Sequence, residues 1–209
     1  MIRLKAGFAM AAVILLLLSS PALQATVEAQ QLVIDTSTRV LERLRQDQEN
    51  LRSNPELIYP LVEDLVLPHF DFERMSIWVL GKNWRKADSE QQKQFIDAFR
   101  TLLVRTYAKA LLEYTDQEIK YLPFHSEEDA KRVTVRTEIA QPGGVNIPLN
   151  YSMFLNREGK WKVYDISVDG ISLVTNYRTS FASEIRKGGI DKLLERLAEM
   201  NAAKGAAGE

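Results

Sequence analysis

The hydrophobic period of this chain changes near residue 117, and that change limits the fold more than any other feature. Upstream, apolar residues recur at helical spacing. Val33, Val40, Leu44 and Leu51 form a thin stripe, and Phe95, Phe99, Leu102, Leu103, Tyr107, Ala110, Leu111 and Tyr114 share one face. Downstream the period is two: Val133, Val135, Thr137 and Ile139 alternate with Thr134, Arg136 and Glu138, as in a half-buried strand. A helical half followed by a strand half, with no linker between them, predicts one α+β domain.

Local punctuation refines both halves. Asn54-Pro55-Glu56 reads as a cap and first turn for a helix carrying Leu57, Ile58, Leu61, Val62, Leu65 and Val66, with a kink or break expected at Pro60. Asp71 can cap a helix over 72–80, stopped by Gly81. Asp88 or Ser89 with Gln91 or Gln92 resembles a capping box for the best helix. In the second half, Pro142-Gly143-Gly144 and Glu158-Gly159 suit tight turns. They separate strands on Ile147, Leu149, Tyr151, Met153 and Leu155, and on Trp161, Val163, Tyr164, Ile166 and Val168. The apolar phase slips between Val163 and Tyr164, which predicts a bulge. Residues 117–124 can add a further strand. Turns this short force an antiparallel meander. Helical spacing returns at Ile171, Val174, Tyr177, Phe181 and Ile185, breaks at Gly188-Gly189, and resumes over 190–200.

The first residues read as a targeting segment. Arg3 and Lys5 precede an apolar run to Leu18, then Ser19, Ser20, Pro21 and Ala22, so residues 1–25 are expected to be a secretory signal cleaved between 22 and 29. The run is shorter than the ~20 residues that cross a bilayer. The expected mature unit is residues 26–200, a soluble single domain and a monomer, followed by a disordered tail over 201–209. With no cysteine, it must be held by an apolar core rather than disulfides. Without Arg3 and Lys5, 25 basic residues face 28 acidic ones, so no broad basic surface for nucleic acid is expected. Enzyme signatures fail as well: there is no Gly-x-Ser-x-Gly elbow, no phosphate-binding glycine loop and no thiol. His69, Asp71 and Glu73 have the wrong spacing for one helical face, and Asp71 has a simpler use as a cap. His125 falls in a polar loop. Neither Asp165 nor Asp169 has an evident acid/base partner. Neither metal nor cofactor is expected.

Two segments carry a family resemblance. LPHFDFERMSIWVLGKNWRKADSEQQKQFIDAFRTLLVRTYAKAL resembles the N-terminal block of the MlaC, or toluene-tolerance, family, and GKWKVYDISVDGISLVTNYRTSFASEIRKGGIDKLLERL resembles its C-terminal block. The specific combination is His69-Phe70-Asp71-Phe72, Leu80-Gly81, Trp84, and Asp165 through Arg178. Trp161-x-Val163-x-Asp165 alone is common in NTF2-like sheets. The resemblance implies a curved antiparallel sheet packed against a helical bundle and enclosing a deep apolar cavity. It further implies a non-enzymatic periplasmic carrier that maintains outer-membrane lipid asymmetry. Such a carrier binds phospholipid as cargo and exchanges it between an outer-membrane lipoprotein–porin complex and an inner-membrane ABC transporter bearing an MCE-domain subunit.

A lipid cavity makes a physical demand. Two acyl tails carry roughly thirty methylenes, so hiding them at ~0.8 kcal/mol each is favourable by on the order of 20 kcal/mol before association costs. Transfer must then occur during docking to another apolar site. Expected walls are the sheet residues Tyr151, Met153, Val163, Tyr164 and Ile166, and the helical residues Phe72, Met75, Val79, Phe99, Leu103, Tyr107, Val174 and Tyr177. Arg178 and Lys187 are candidates near the headgroup. Two rival readings remain at this level: an enzyme using Asp165 or His69 in an NTF2-like pocket, and a lipid-free adaptor with a dry core.

Overall fold

A computed structural model describes residues 21–114, 117–123, 130–141 and 143–206. Residues 1–20 of the expected 1–25 targeting segment, His125, Pro142 and the last tail residues, 207–209, lie outside the described residues. The long first helix α1 (Pro21–Gln46) and the short α2 (Gln48–Ser53) carry the N-terminal stripe. Val33, Val40, Leu44 and Leu51 are all buried, as their spacing requires. Asn54 Oδ1 accepts the Glu56 N–H at 3.2 Å and opens a 3₁₀ turn over Pro55–Leu57. α3 (Ile58–Leu65) follows directly. Pro60 neither kinks nor breaks it, contrary to expectation. It sits in the first turn, where a backbone N–H has no helical acceptor to lose.

α4 (Phe72–Leu80) has the expected bounds: Asp71 Oδ1 accepts the Arg74 N–H at 2.8 Å, and Gly81 stops the helix at φ +54°. A Cβ on Gly81 would stand 3.2 Å from Arg178 Nη2, so glycine serves both the turn and the passage of that guanidinium. α5 (Ser89–Tyr107) opens with a capping box, Asp88 to the Gln91 N–H and Gln91 Oε1 to the Asp88 N–H. It ends earlier than its stripe suggested. Ala110, Leu111 and Tyr114 belong to a 3₁₀ segment, Lys109–Tyr114.

The second half forms an antiparallel meander in chain order, β1 (Ile119–Tyr121), β2 (Arg132–Ile139), β3 (Ile147–Leu155), β4 (Trp161–Val168) and β5 (Ile171–Ser172). The register shifts between Ser152 and Met153, opposite Val163–Asp165, where the apolar phase slips in sequence. Asp169 (φ +50°) and Gly170 (φ +79°) turn β4 into β5, as an Asp-Gly hairpin requires. Ile171, expected on the last helix, pairs with Val168 instead. The helix α6 (Leu173–Ala206) starts beyond it because Ser172 Oγ accepts the Thr175 N–H and Asp165 Oδ1 accepts the Val174 N–H, each at 3.0 Å. Gly189, at φ +79°, divides α6 where the Gly188-Gly189 pair predicted a break. The second part runs into the segment expected as a tail. There Asn201 Nδ2 donates to the Ala98 carbonyl at 3.0 Å and Arg105 donates to the Asn201 carbonyl.

α4, α5 and α6 form one core, with Phe95 stacked on Phe99 at 5.6 Å and Phe181 edge-on to both. This bundle joins the sheet at β4. Phe70 pairs with Val163 in a parallel bridge, and the Asp71 N–H donates to the Val163 carbonyl at 2.9 Å. The outer edge of β4 is thus taken at one end by the Phe70–Asp71 segment and at the other by β5. No helix among the described residues is long and apolar enough to cross a membrane.

Candidate functional site: an apolar sheet face half covered

Register assigns each strand residue to a face. One face carries, in successive rows, Ile119–Ile139–Ile147, then Tyr121–Thr137–Leu149–Val168, then Val135–Tyr151–Ile166, then Val133–Met153–Val163. α1 crosses the last of these rows, with Ala29 and Val33 buried against Val133, Met153, Trp161 and Val163. Coverage thins toward the other end. Val135 and Thr137 on β2 stay buried, but Tyr151, Ile166 and Leu149 are half-buried, as are Ile119, Ile139 and Ile147, and Val168 is exposed. An apolar sheet face ordinarily finds a full partner layer. Here it has one only over part of its length.

A few hydroxyls punctuate this face. Ser37 of α1 and Tyr121 stand 2.6 Å apart, and Thr137 donates to the Leu149 carbonyl at 2.6 Å. Burial pushes the Tyr151 phenol well above the usual tyrosine range, the neighbouring Tyr121 adds to the rise, and a hydrogen bond with Thr137 opposes it. The same side chain keeps accessible surface.

The structure divides eleven of the thirteen expected wall residues into two groups. Tyr151, Met153, Val163 and Ile166 lie on this face. Met75, Val79, Phe99, Leu103 and Val174 are buried in the helical core, with Phe72 and Tyr177 packed against it. Tyr164 sits at the bulge and turns away from the inner face, 5.5 Å from Trp78 and 6.0 Å from Phe154 by ring centroid. Tyr107 is exposed at the end of α5, bonded to Tyr177, whose own phenol is raised chiefly by burial. Phe70 touches both groups. Sequence reasoning did not select Leu32, Tyr121, Ile139, Ile147 or Leu149 as wall residues. Their alternation was visible, but their incomplete cover was not.

The polar candidates are engaged elsewhere. Asp165 accepts Ser172 Oγ–H at 2.6 Å and the Val174 N–H, so its carboxylate builds the α6 start. His69 lies between Lys162 and Arg39, and its pKa is lowered by burial first and by those two cations next. Arg178 lies against Gly81, and Lys187 stands 3.9 Å from Glu184. Among the described residues, no three His, Asp or Glu side chains gather as a metal cluster would. A separate cleft of about 510 Å³ opens between α3 and α5, lined in part by Glu56, Glu63, Asp97, Arg100 and Arg105. Its lining mixes these charged side chains, with Arg100–Glu63 at 3.2 Å, and the apolar surfaces of Tyr59, Pro60 and Val104.

Fold and site define an α+β domain that presents a partly covered apolar sheet face. The chain belongs to the MlaC family, whose model matches residues 34–199. It is 32% identical over 189 residues to the toluene tolerance protein Ttg2D of Pseudomonas putida, covering 87% of each chain. It is 26% identical over 168 residues to the intermembrane phospholipid transport system binding protein MlaC of Haemophilus influenzae, covering 79% of this chain and 78% of the relative. Its fold superposes with TM-score 0.78 on the phospholipid-binding protein from Ralstonia solanacearum, solved in complex with a phospholipid. That match is at 34% identity and covers 85% of this chain and 99% of the other.

Proposed function

We propose that this chain is a periplasmic phospholipid carrier that takes acyl tails against the inner face of its sheet and performs no chemistry on them. The observation that carries this reading is the half-covered row set from Ile139, Ile147 and Leu149 to Tyr151 and Ile166, continuous with the buried core. Uncovered apolar surface of this kind serves a hydrophobic guest. The phospholipid complex of the Ralstonia relative supports the same guest here.

Of the candidate wall residues, Tyr151, Met153, Val163 and Ile166 contact the tails in this proposal. Phe72, Met75, Val79, Phe99, Leu103, Val174 and Tyr177 hold the bundle that supports the sheet, together with Tyr164. Tyr107 stands at the rim. The headgroup remains near solvent, since the tails supply most of the binding free energy. A guest bound this way does not escape into water on a useful timescale, so exchange occurs on docking. The docking partners we propose are an inner-membrane MCE-domain ABC transporter complex and an outer-membrane lipoprotein–porin complex, the carrier serving outer-membrane lipid asymmetry.

Native mass spectrometry of the mature protein, purified without detergent, tests the proposal. The expected result is retained phospholipid with mixed acyl chains. Protein that stays lipid-free even after incubation with phosphatidylglycerol vesicles would favour an adaptor with a dry core.

A further inference from the structure

The inner face does not stay accessible along its whole length, and the place where access stops is built from identifiable side chains. From Ile147 at the open end to Met153, β3 advances by about 20 Å at the usual rise per residue. On β3, Ile147, Leu149 and Tyr151 are half-buried, whereas Met153 is 0% exposed; beside them on β2, Val135 and Thr137 are buried as well, so the accessible path runs along β3. Its row neighbours Val133 and Val163 are 7% and 3% exposed, and Ala29 and Val33 of α1 close over all three.

We propose that this floor, formed by Met153, Val133 and Val163 beneath Ala29 and Val33, sets the acyl-chain length the domain prefers. The proposal rests on the carrier reading and adds a limit to it. A tail laid along the face from its open end meets the floor after a fixed distance. Every methylene beyond that distance stays in water, at a penalty of about fourfold in affinity. The floor does not yield easily, because three of its members are β-branched valines and the fourth, Ala29, has no side-chain freedom at all. Met153 is the adjustable member. Its unbranched thioether arm occupies room for roughly two methylenes, which truncation to alanine would release.

The test uses the mature protein and its variants Met153→Ala and Val33→Ala, each equilibrated with vesicles of phosphatidylglycerol of graded, matched acyl length. Bound lipid is read by native mass spectrometry, and circular dichroism reports the fold. Met153→Ala should move the preferred length upward by about two carbons per chain, and Val33→Ala should move it in the same direction by less. Leu44→Ala, a cavity in the separate core beneath α3, should leave the length profile where the unmodified protein has it. Identical profiles in loaded, folded Met153→Ala or Val33→Ala and in the unmodified protein would overturn the floor while leaving the carrier intact. Failure of the unmodified protein to load lipid of any length would end both.

Discussion

The hydroxyl of Tyr121 stands 2.6 Å from Ser37 Oγ and ties the edge strand β1 to the middle of α1. Ser37 Oγ also lies 2.7 Å from the Val33 carbonyl and 3.0 Å from the Ile34 carbonyl; with its one proton given to either, Tyr121 donates across the gap. Gln30 Nε2 adds a second tie from α1, to the Leu122 carbonyl at 3.2 Å. Removing the phenol in Tyr121→Phe should lower stability by about 1 kcal/mol. It should also speed amide exchange in β1 more than in β3. Urea unfolding with exchange by mass spectrometry checks both, and uniform protection would contradict the tie.

Leu149 faces the uncovered part of the sheet, between Thr137 and Val168. Leu149→Trp should therefore be tolerated by the fold while the indole takes the place of tail methylenes. Displacing about two of them reduces lipid affinity roughly tenfold. Lipid retained per protein, measured beside the far-ultraviolet spectrum, decides the matter. Normal loading of a folded Leu149→Trp protein would move the tails elsewhere.

Asp165 holds Ser172 Oγ–H and the Val174 N–H at once. Asp165→Ala should cost about 1–3 kcal/mol, as the start of α6 loses its cap and its partners lose an acceptor. Lipid loading of the folded fraction should not change. Loss of a catalytic turnover with unaltered stability would instead speak for an acid/base role.

His69 gives a signed pH dependence. Its folded pKa is lowered from 6.5 by burial, Lys162 and Arg39. The unfolded chain therefore binds more protons in that window, and stability rises with pH. The His69 contribution is complete above the unfolded value of 6.5 and is lost as pH falls below it toward the folded pKa. The difference between the unmodified protein and His69→Gln, followed by urea midpoints from about pH 8 to about pH 5, should shrink with acidification. A constant difference would contradict the assignment.

Local chemistry was the most legible layer. Asp71 and Gly81 bounded α4, Asp88 and Gln91 opened α5, and the slip between Val163 and Tyr164 marked the bulge, because each depends on residues close in sequence. Where a distant group decides, reading by period fell short. Ile171 continues a helical stripe but pairs with Val168, since Asp165 fixes where α6 can start. Tyr164 continues the apolar alternation of Ile166 and Val168 but turns to Trp78, because the extra residue at the bulge puts Val163 rather than Tyr164 in phase with Ile166. Cover is harder still to read. Ile147 and Met153 have the same alternation and the same face, but α1 and the neighbouring Val163 of β4 close over Met153, while Ile147 lies beyond the end of the β4 pairing.

The occupied outer edge of β4 has a consequence for how the protein meets other copies of itself. A bare strand edge is a template on which another chain can extend the sheet. With Phe70 and Asp71 seated at Val163 and β5 paired at Ser167 and Val168, a second molecule finds few unpaired backbone groups there. Growth of one sheet into the next, the usual route from a meander to a fibre, is blocked along that side by the chain's own backbone.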